Sequence, residues 1–272
     1  MLQELRLFFV ALQFLTRVPV PAWVGYRPEW LHACVRHFPL VGACVGGFGA
    51  AVLWTALALF PPAVAVVLSM AATVWLTGGF HEDGFADTCD ALGGAVSRER
   101  SLAIMKDSRI GSYAALGLAL MLGLKAVTLT ALLPERQPLL PGLAAMCWAH
   151  VVSRAAPVWL IRTLSYAGDL AHAKAKPLAT QVSWSGVIVC SGWVAVAGAG
   201  LMAALGWAAA LPIAGSVLTA ASLTAAMARW LRQRLGGYTG DTLGATQQIV
   251  EVGVLLTWLA LQQVFARPHI HG

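Results

Sequence analysis

Four of the twelve acidic residues of this chain fall within nine positions, as Glu82, Asp83, Asp87 and Asp90. If the segment is helical, Asp83, Asp87 and Asp90 are spaced i, i+4 and i+7 and therefore share one face. Carboxylates held this close repel one another, most strongly where the dielectric constant is lowered, so a positive partner is expected. Mg²⁺ typically takes one or two carboxylates and completes its octahedron with phosphate and water oxygens. The four acids therefore predict a Mg²⁺ site suited to phosphate chemistry.

The alternative for this segment is a solvated acidic loop that only caps a helix. The stripe favours a site, because a solvated loop has no reason to place three acids on one face. Gly84 and Ala86 lie between the acids and would let a bulky substrate approach the backbone closely. Pairs of glycines at positions 78–79 and 93–94 allow breaks or close approaches at the two ends of the segment.

Other residues near the acids fit the same chemistry. Lys106 and Arg109 are spaced i, i+3 and would contact phosphate oxygens, the arginine in bidentate fashion. The alternative is ordinary anchoring of a basic loop at the membrane surface. His81 abuts the acids and is a candidate general base, although a histidine at a helix end more often only forms a hydrogen bond or a cap.

A glycine-rich segment near the C-terminus is predicted to bind substrate through Thr239, Gly240 and Asp241. Backbone N–H groups at a helix start attract anions, which supports this interpretation. Asp241 is also interpretable as the N-cap of the following helix. Glu251 and Arg154 lie inside apolar runs, where an ionisable side chain is costly and is therefore a candidate for function. In the alternative interpretation these two residues pair with each other and are structural.

Membrane helices must position these residues. Hydrophobic residues make up 58% of the chain and charged residues only 11%, against about 25% in a soluble domain. A spanning helix needs roughly 20 apolar residues. The sequence therefore predicts an all-α, polytopic membrane bundle of about seven spans, with six to eight compatible. The five scattered cysteines lack a C-x-x-C pair, which argues against a disulfide framework or a zinc site. The predicted spans are 38–60, 63–80, 112–133, 139–161, 184–206, 207–227 and 243–265.

The basic residues predict the orientation of the bundle. Fourteen of the 18 fall on one predicted side, which places the N-terminus and the active-site segment 81–111 in the cytoplasm. The net charge of +6 then fits an anionic membrane leaflet and not a nucleic acid. The fourteen are Arg6, Arg17, Arg27, Arg36, Arg98, Arg100, Lys106, Arg109, Arg162, Lys174, Lys176, Arg229, Arg232 and Arg234; Arg136 and Arg267 fall opposite, and Lys125 and Arg154 inside spans.

The chain is expected to form one membrane-embedded catalytic domain over residues 1–272. Residues 1–37 form its cytoplasmic or interfacial N-terminal segment. Within that segment, residues 2–15 are predicted to be a helix that either lies in the membrane interface or packs against the bundle.

Five segments, in order over nearly the full length, resemble the cobalamin synthase family, the adenosylcobinamide-GDP ribazoletransferases. The acidic segment is the most specific of them, whereas residues 178–228 carry little recognisable signal. The five are FLTRVP at 14–19, FPLVG at 38–42, GFHEDGFADTCDA at 79–91, MKDSRIG at 105–111 and GYTGDTLGA at 237–245.

The resemblance implies a reaction that the residues alone do not give. Adenosylcobinamide-GDP is joined to α-ribazole, or to α-ribazole 5′-phosphate, in a Mg²⁺-dependent step in the bacterial inner membrane that releases GMP. A ribose hydroxyl attacks the phosphorus attached to the cobinamide arm. The four acids would hold Mg²⁺, and Asp83, Asp87 or His81 would accept the hydroxyl proton. Lys106 and Arg109 would contact phosphate.

Two alternatives and two kinds of partner accompany this prediction. A CDP-alcohol phosphotransferase shares an Asp-Gly start and a nearby alanine, but the signature spacing differs and its later acidic run is missing. A cation transporter would place its site nearer the bilayer midplane. Besides the two substrates and the lipid bilayer, the expected partners include a second copy of the chain or other enzymes late in cobalamin synthesis.

Overall fold

The computed structural model describes residues 2–133, 139–168 and 179–266. The orientation prediction also used Arg136, Lys174, Lys176 and Arg267, which lie outside the described residues. The described residues form twelve α-helices and no extended β-strand, so the predicted all-α class is confirmed. The helices are α1 (Leu2–Leu15), α2 (Glu29–Cys34), α3 (Phe38–Leu57), α4 (Pro62–Thr77), α5 (Phe80–Leu92), α6 (Arg98–Ile104), α7 (Ser112–Ala131), α8 (Leu140–Ser153), α9 (Ala156–Thr163), α10 (Trp184–Leu205), α11 (Ala210–Leu235) and α12 (Gly240–Ala266).

The long helices fit the predicted polytopic membrane protein. Among the described residues, five helical stretches are long and apolar enough to cross a membrane, or six if α4 and the bent α5 count as one span. One of the five, Trp184–Leu235, has 52 residues and would extend about 78 Å, far beyond the roughly 30 Å hydrocarbon core. It divides at a short 3₁₀ turn, Gly206–Ala209, into α10 and α11. Counting these two helices separately gives the predicted seven.

The second predicted span, 63–80, ends earlier than expected. α4 stops at Thr77, and α5 leaves it at an angle of 90°. Gly78 and Gly79 make the bend with φ angles of 72° and 70°, which side chains with a Cβ rarely adopt. The Gly79 N–H donates to the Val74 carbonyl at 2.9 Å and closes the end of α4. The acidic segment is therefore a separate helix that is set across the end of the bundle.

Helix α12 is the central element, because it packs against α5, α7, α8, α9 and α11. The basic connections meet at one end of the bundle. There the Arg98 Nε donates to the Leu235 carbonyl at 2.6 Å, and the Arg234 Nη2 donates to the Gly94 carbonyl at 2.8 Å. We call this end, which carries α5, the α5 end.

The N-terminal helix α1 packs against α2 and α3 at the α5 end. Its buried residues Leu7, Val10, Ala11 and Leu15 belong to the core around α2, α3 and α9. Of the two predicted placements for residues 2–15, the structure therefore shows the helix packed on the bundle.

Candidate active site

The four clustered acids line one cavity of about 690 Å³ at the α5 end. Glu82, Asp83, Asp87 and Asp90 project from α5, as the helical spacing predicts. The opposite wall comes from the end of α1, the glycine bend and the start of α7. We call this space the acidic cavity. Its volume is in the range of sites that take cofactor-sized ligands.

Arg17 is the site residue that the sequence interpretation missed. It lies just beyond α1, and its backbone N–H donates to the Leu76 carbonyl at 2.8 Å, which brings it to the glycine bend. Its side chain is exposed and lines the acidic cavity. In the described part of the chain, no carboxylate forms an ion pair with the Arg17 guanidinium. The sequence offers two signals, a charge after an apolar helix and the family-like segment FLTRVP at 14–19. The contact with α4 that orients Arg17 is tertiary.

Arg109 also lines the acidic cavity, and a neighbouring acid holds it. Its Nη2 donates to Asp107 Oδ2 at 2.5 Å and its Nε to Asp107 Oδ1 at 2.9 Å. Hydrogen bonds from Arg109 lower the pKa of Asp107 to about 2, so the pair persists near neutral pH. Lys106 is exposed and does not line the cavity, because α6 ends at Ile104 and the spacing of the two residues is not helical. Phosphate binding by Lys106 stays a prediction.

Asp90 joins α5 to the start of α7. Its Oδ2 accepts the Gly111 N–H at 2.6 Å, and its Oδ1 accepts the Ala114 N–H at 2.8 Å. A carboxylate at a helix N-terminus satisfies unpaired N–H groups and favours the helix dipole. Asp90 therefore fixes one wall of the acidic cavity, and its predicted part as a Mg²⁺ ligand stays a prediction.

The predicted approach of substrate to Gly84 is wrong. Gly84 is buried on the far face of α5, where a Cβ would lie 2.7 Å from the Asp241 carbonyl oxygen and 3.0 Å from its Cα. Gly84 therefore allows α5 to cross the start of α12 closely. Ala86, the other small residue of the segment, does line the acidic cavity.

We expect Gly84→Ala to lower the free energy of unfolding by about 1–3 kcal/mol, because a methyl group here pushes on the backbone of α12. Thermal unfolding in detergent measures the effect. Gly47→Ala on α3 is the matched control, since a Cβ there meets nothing within 4 Å. Equal stability of the two variants would show that the crossing tolerates a side chain.

His81 lies on the other face of α5, away from the acids. It is buried and lines a small cavity of about 30 Å³ with Arg154, Gly240 and Gly244. A space of this size suits a water molecule and not a nucleotide. The geometry therefore disfavours the predicted role of His81 as general base, since its ring does not line the acidic cavity.

At the start of α12, the two threonines form a reciprocal cap. Thr239 Oγ1 accepts the Thr242 N–H at 3.3 Å, and Thr242 Oγ1 accepts the Thr239 N–H at 2.9 Å. The interpretation of Asp241 as the N-cap is therefore wrong, because Thr239 occupies that position. Asp241 is half-buried in the first turn. Thr239, Gly240 and Asp241 do not line the acidic cavity. Their role in substrate binding stays a prediction.

Glu251 and Arg154 belong to one buried cluster of charged residues. Glu251 forms an ion pair with Lys125 through Oε1, and its Oε2 lies 3.2 Å from His150 Nδ1 and 3.9 Å from Arg154 Nη1. Gln247 Nε2 also donates to Glu251 Oε2, at 2.5 Å. The predicted pairing of Glu251 with Arg154 is present, and Lys125 is the closer cation.

A hydrogen bond links α12 to the acidic cavity. Gln248, next to the buried cluster, donates through Nε2 to Glu82 Oε1 at 2.9 Å. The second oxygen, Glu82 Oε2, is buried without a hydrogen-bond partner in the described structure. A buried, unpaired carboxylate oxygen is costly unless a positive group meets it. Arg154 is near enough to attract Glu82 electrostatically, and the unbonded oxygen with the neighbouring carboxylates also fits a hard divalent cation.

The acids do not form a closed metal cage by themselves. Within the described ranges, no three His, Cys, Asp or Glu side chains come close enough to hold a metal ion. This arrangement still fits Mg²⁺, which commonly takes one or two carboxylates and receives its other oxygens from substrate phosphates and water.

Comparisons with known proteins agree over nearly the whole chain. The family model described as cobalamin-5-phosphate synthase matches residues 7–259. Three relatives named adenosylcobinamide-GDP ribazoletransferase come from Leptothrix cholodnii, Shewanella amazonensis and Polaromonas naphthalenivorans. The first is 62% identical and covers 96% of this chain and 97% of its own. The second is 46% identical over 95% of this chain and 96% of its own. The third is 42% identical over 94% of this chain and 98% of its own. No solved structure shows a significant match.

Proposed function

The chain belongs to the cobalamin-5-phosphate synthase family, and from this premise we propose that it joins adenosylcobinamide-GDP to α-ribazole or α-ribazole 5′-phosphate. The products are GMP and adenosylcobalamin or its 5′-phosphate. The acidic cavity, with four carboxylates and Arg17 on its walls, is the observation that carries this function. Phosphoryl transfer depends mainly on positioning and on charge neutralisation, and this cavity supplies groups for both.

In the proposed reaction, a ribose hydroxyl of the ribazole attacks the phosphorus that bears the cobinamide arm. A new P–O bond forms to the ribose oxygen, while the bond from that phosphorus to the bridging oxygen breaks and GMP departs with this oxygen. Asp83, which is exposed and lines the acidic cavity, would accept the hydroxyl proton. Arg17 binds the diphosphate oxygens; Arg109 lines the same cavity, but it is already paired with Asp107.

Glu82 and Asp87 are the carboxylates that would hold Mg²⁺, with substrate oxygens and water as the remaining ligands. When bound, Mg²⁺ would neutralise charge on the diphosphate and on the departing GMP. The unpaired Glu82 Oε2 supports this assignment. Asp90 keeps the start of α7 in place, because both of its oxygens accept backbone N–H groups there.

The proposed location is the bacterial inner membrane, with the acidic cavity facing the cytoplasm. Basic connections gather at the α5 end, and an excess of Lys and Arg is typical of cytoplasmic loops. Nucleotide substrates would reach the cavity from that side. A second copy of the chain or other enzymes late in cobalamin synthesis stay predicted partners.

The direct test is an assay of the purified protein with adenosylcobinamide-GDP and α-ribazole, with chromatography of GMP and of the joined corrinoid. We expect the two products to form in equal amounts. CMP formation from CDP-diacylglycerol would favour the phosphotransferase alternative, and cation flux into proteoliposomes without GMP would favour the transporter. The full-length likeness to ribazoletransferases supports neither alternative.

We expect Arg17→Ala to lower kcat/KM about 10- to 100-fold, because a hydrogen bond to a charged group contributes roughly 1.5–3 kcal/mol. Steady-state GMP release measures the loss. Arg100→Ala is the matched control, since Arg100 is exposed on α6 and does not line the acidic cavity. Unchanged kinetics in Arg17→Ala would remove Arg17 from the substrate site.

Gln248 is proposed as a positioning residue for Glu82. We expect Gln248→Leu to raise the Mg²⁺ concentration for half-maximal activity at least tenfold, because groups behind metal ligands typically contribute 10- to 100-fold to metal affinity. Mg²⁺-induced thermal stabilisation should shift in parallel, with the exposed Gln233→Leu as control. A lower kcat with an unchanged Mg²⁺ requirement would make Gln248 merely structural.

A further inference from the structure

A second, larger cavity lies outside the acidic site. It has a volume of about 940 Å³ and runs between α10 and α11, with α8 and α9 behind it. Small residues leave this space open where larger side chains would fill it; among them are Gly198, Ala199, Ala221 and Ala225. We call it the α10–α11 groove.

The α10–α11 groove is apolar except at one end. Among the residues that the structure describes, its charged lining residues are Arg229 and Arg232, spaced i, i+3 near the end of α11, and no acid lines it. Both arginines are exposed. Arg232 Nη2 donates to the Thr163 carbonyl at 3.3 Å, which leaves the rest of its guanidinium available. An occupant must therefore combine an apolar body with an anionic end.

The groove extends over about the full hydrocarbon thickness of a bilayer, so the acyl chains of one lipid would fill the half next to the arginines. From Ile213 to Arg232, α11 extends about 28 Å, close to the hydrocarbon thickness of a bilayer. Trp159 and Trp184 contact each other near the arginine end, with ring centroids 6.4 Å apart. The Arg162 guanidinium lies 4.4 Å from the Trp184 ring. Tryptophan and arginine at one level are typical of the membrane–water interface, where lipid phosphates lie.

We propose that the α10–α11 groove binds an anionic phospholipid, whose acyl chains lie along the small residues and whose headgroup phosphate meets Arg229 and Arg232. Basic pockets between membrane helices recognise anionic headgroups in this way. A second copy of the chain would fill the apolar part, but no charge complementarity favours it over a lipid. This site is independent of the acidic cavity.

Competitive lipid retention tests the headgroup contact. The protein is reconstituted into nanodiscs containing equal amounts of phosphatidylglycerol and phosphatidylcholine and is then extracted in a mild detergent. Native mass spectrometry identifies the lipids that stay bound to it. We expect the wild type to retain phosphatidylglycerol about 10- to 30-fold over phosphatidylcholine, and R229Q/R232Q to lose the preference. Arg100→Gln, away from the groove, should retain it.

A second pair of variants tests the apolar part of the site. Ala225 lines the groove, whereas its neighbour Ala226 is exposed and does not line it. We expect Ala225→Trp to lower lipid retention several-fold and Ala226→Trp to leave it unchanged. The proposal is overturned if the wild type shows no headgroup preference, if R229Q/R232Q keeps it, or if a lipid-free dimer is found.

Discussion

Replacing Asp83 or Asp87 by asparagine is expected to reduce GMP release by roughly 10²–10⁴-fold or more. Asparagine keeps the size of the side chain but removes the negative charge and the proton acceptor. Both residues line the acidic cavity, where charge neutralisation of the diphosphate takes place in the proposed reaction. The loss should appear in kcat, because the interactions form at the reacting phosphorus.

The two asparagine variants need a folded, membrane-inserted protein as their reference. The thermal unfolding of Asp83→Asn should match that of the wild type, since removing one of several neighbouring like charges does not destabilise α5. Glu29→Gln, an exposed acid of α2 that does not line the cavity, is the control for charge loss. Near-normal turnover in purified Asp83→Asn would remove the proton acceptor from the proposed reaction.

The largest loss of stability is expected from Glu251→Gln. This change leaves Lys125 buried among helices without its carboxylate partner. Removing one partner of a buried ion pair typically lowers the free energy of unfolding by about 3–5 kcal/mol. The change also weakens the contacts with His150 and Arg154. Thermal and denaturant unfolding in lipid nanodiscs would measure this loss.

A double variant separates charge from packing at this cluster. Lys125→Met/Glu251→Leu removes both charges and keeps comparable volume, so we expect it to be more stable than Glu251→Gln. If the cluster only holds α7, α8 and α12 together, the double variant should also keep much of the wild-type GMP release. A double variant no more stable than Glu251→Gln would show that the Lys125–Glu251 pair is not the source of the loss.

Patterns with a local cause were predicted well from the sequence. The acids at 83, 87 and 90 share a face because helical periodicity alone determines it, and the structure shows all three in one cavity. The glycines at 78–79 were predicted to allow a break, and both adopt positive φ. The long apolar runs gave the helices, but two ends were misplaced: the second span ends at Thr77 because of this bend, and the sixth, predicted to end at 227, continues to Leu235.

Tertiary contacts explain what the sequence did not show. Gly84 was predicted to face substrate, but only the crossing with α12 reveals that it faces Asp241. His81 immediately precedes the acids in the sequence. On the helix, however, its side chain lies on the face towards α12. Arg17 is 65 positions before Glu82 in the sequence, and no periodicity connects the two. The bond between α1 and α4 that aims Arg17 is likewise not local.

The proposed reaction is tested most directly by titrating Mg²⁺ into purified, chelator-treated protein with adenosylcobinamide-GDP and α-ribazole while GMP is measured. We expect no GMP without Mg²⁺, saturable release as Mg²⁺ is added, and no comparable release from Asp87→Asn at any Mg²⁺ concentration. Full turnover of the wild type in excess chelator, or a normal Mg²⁺ titration of Asp87→Asn, would contradict a Mg²⁺-dependent phosphoryl transfer in the acidic cavity.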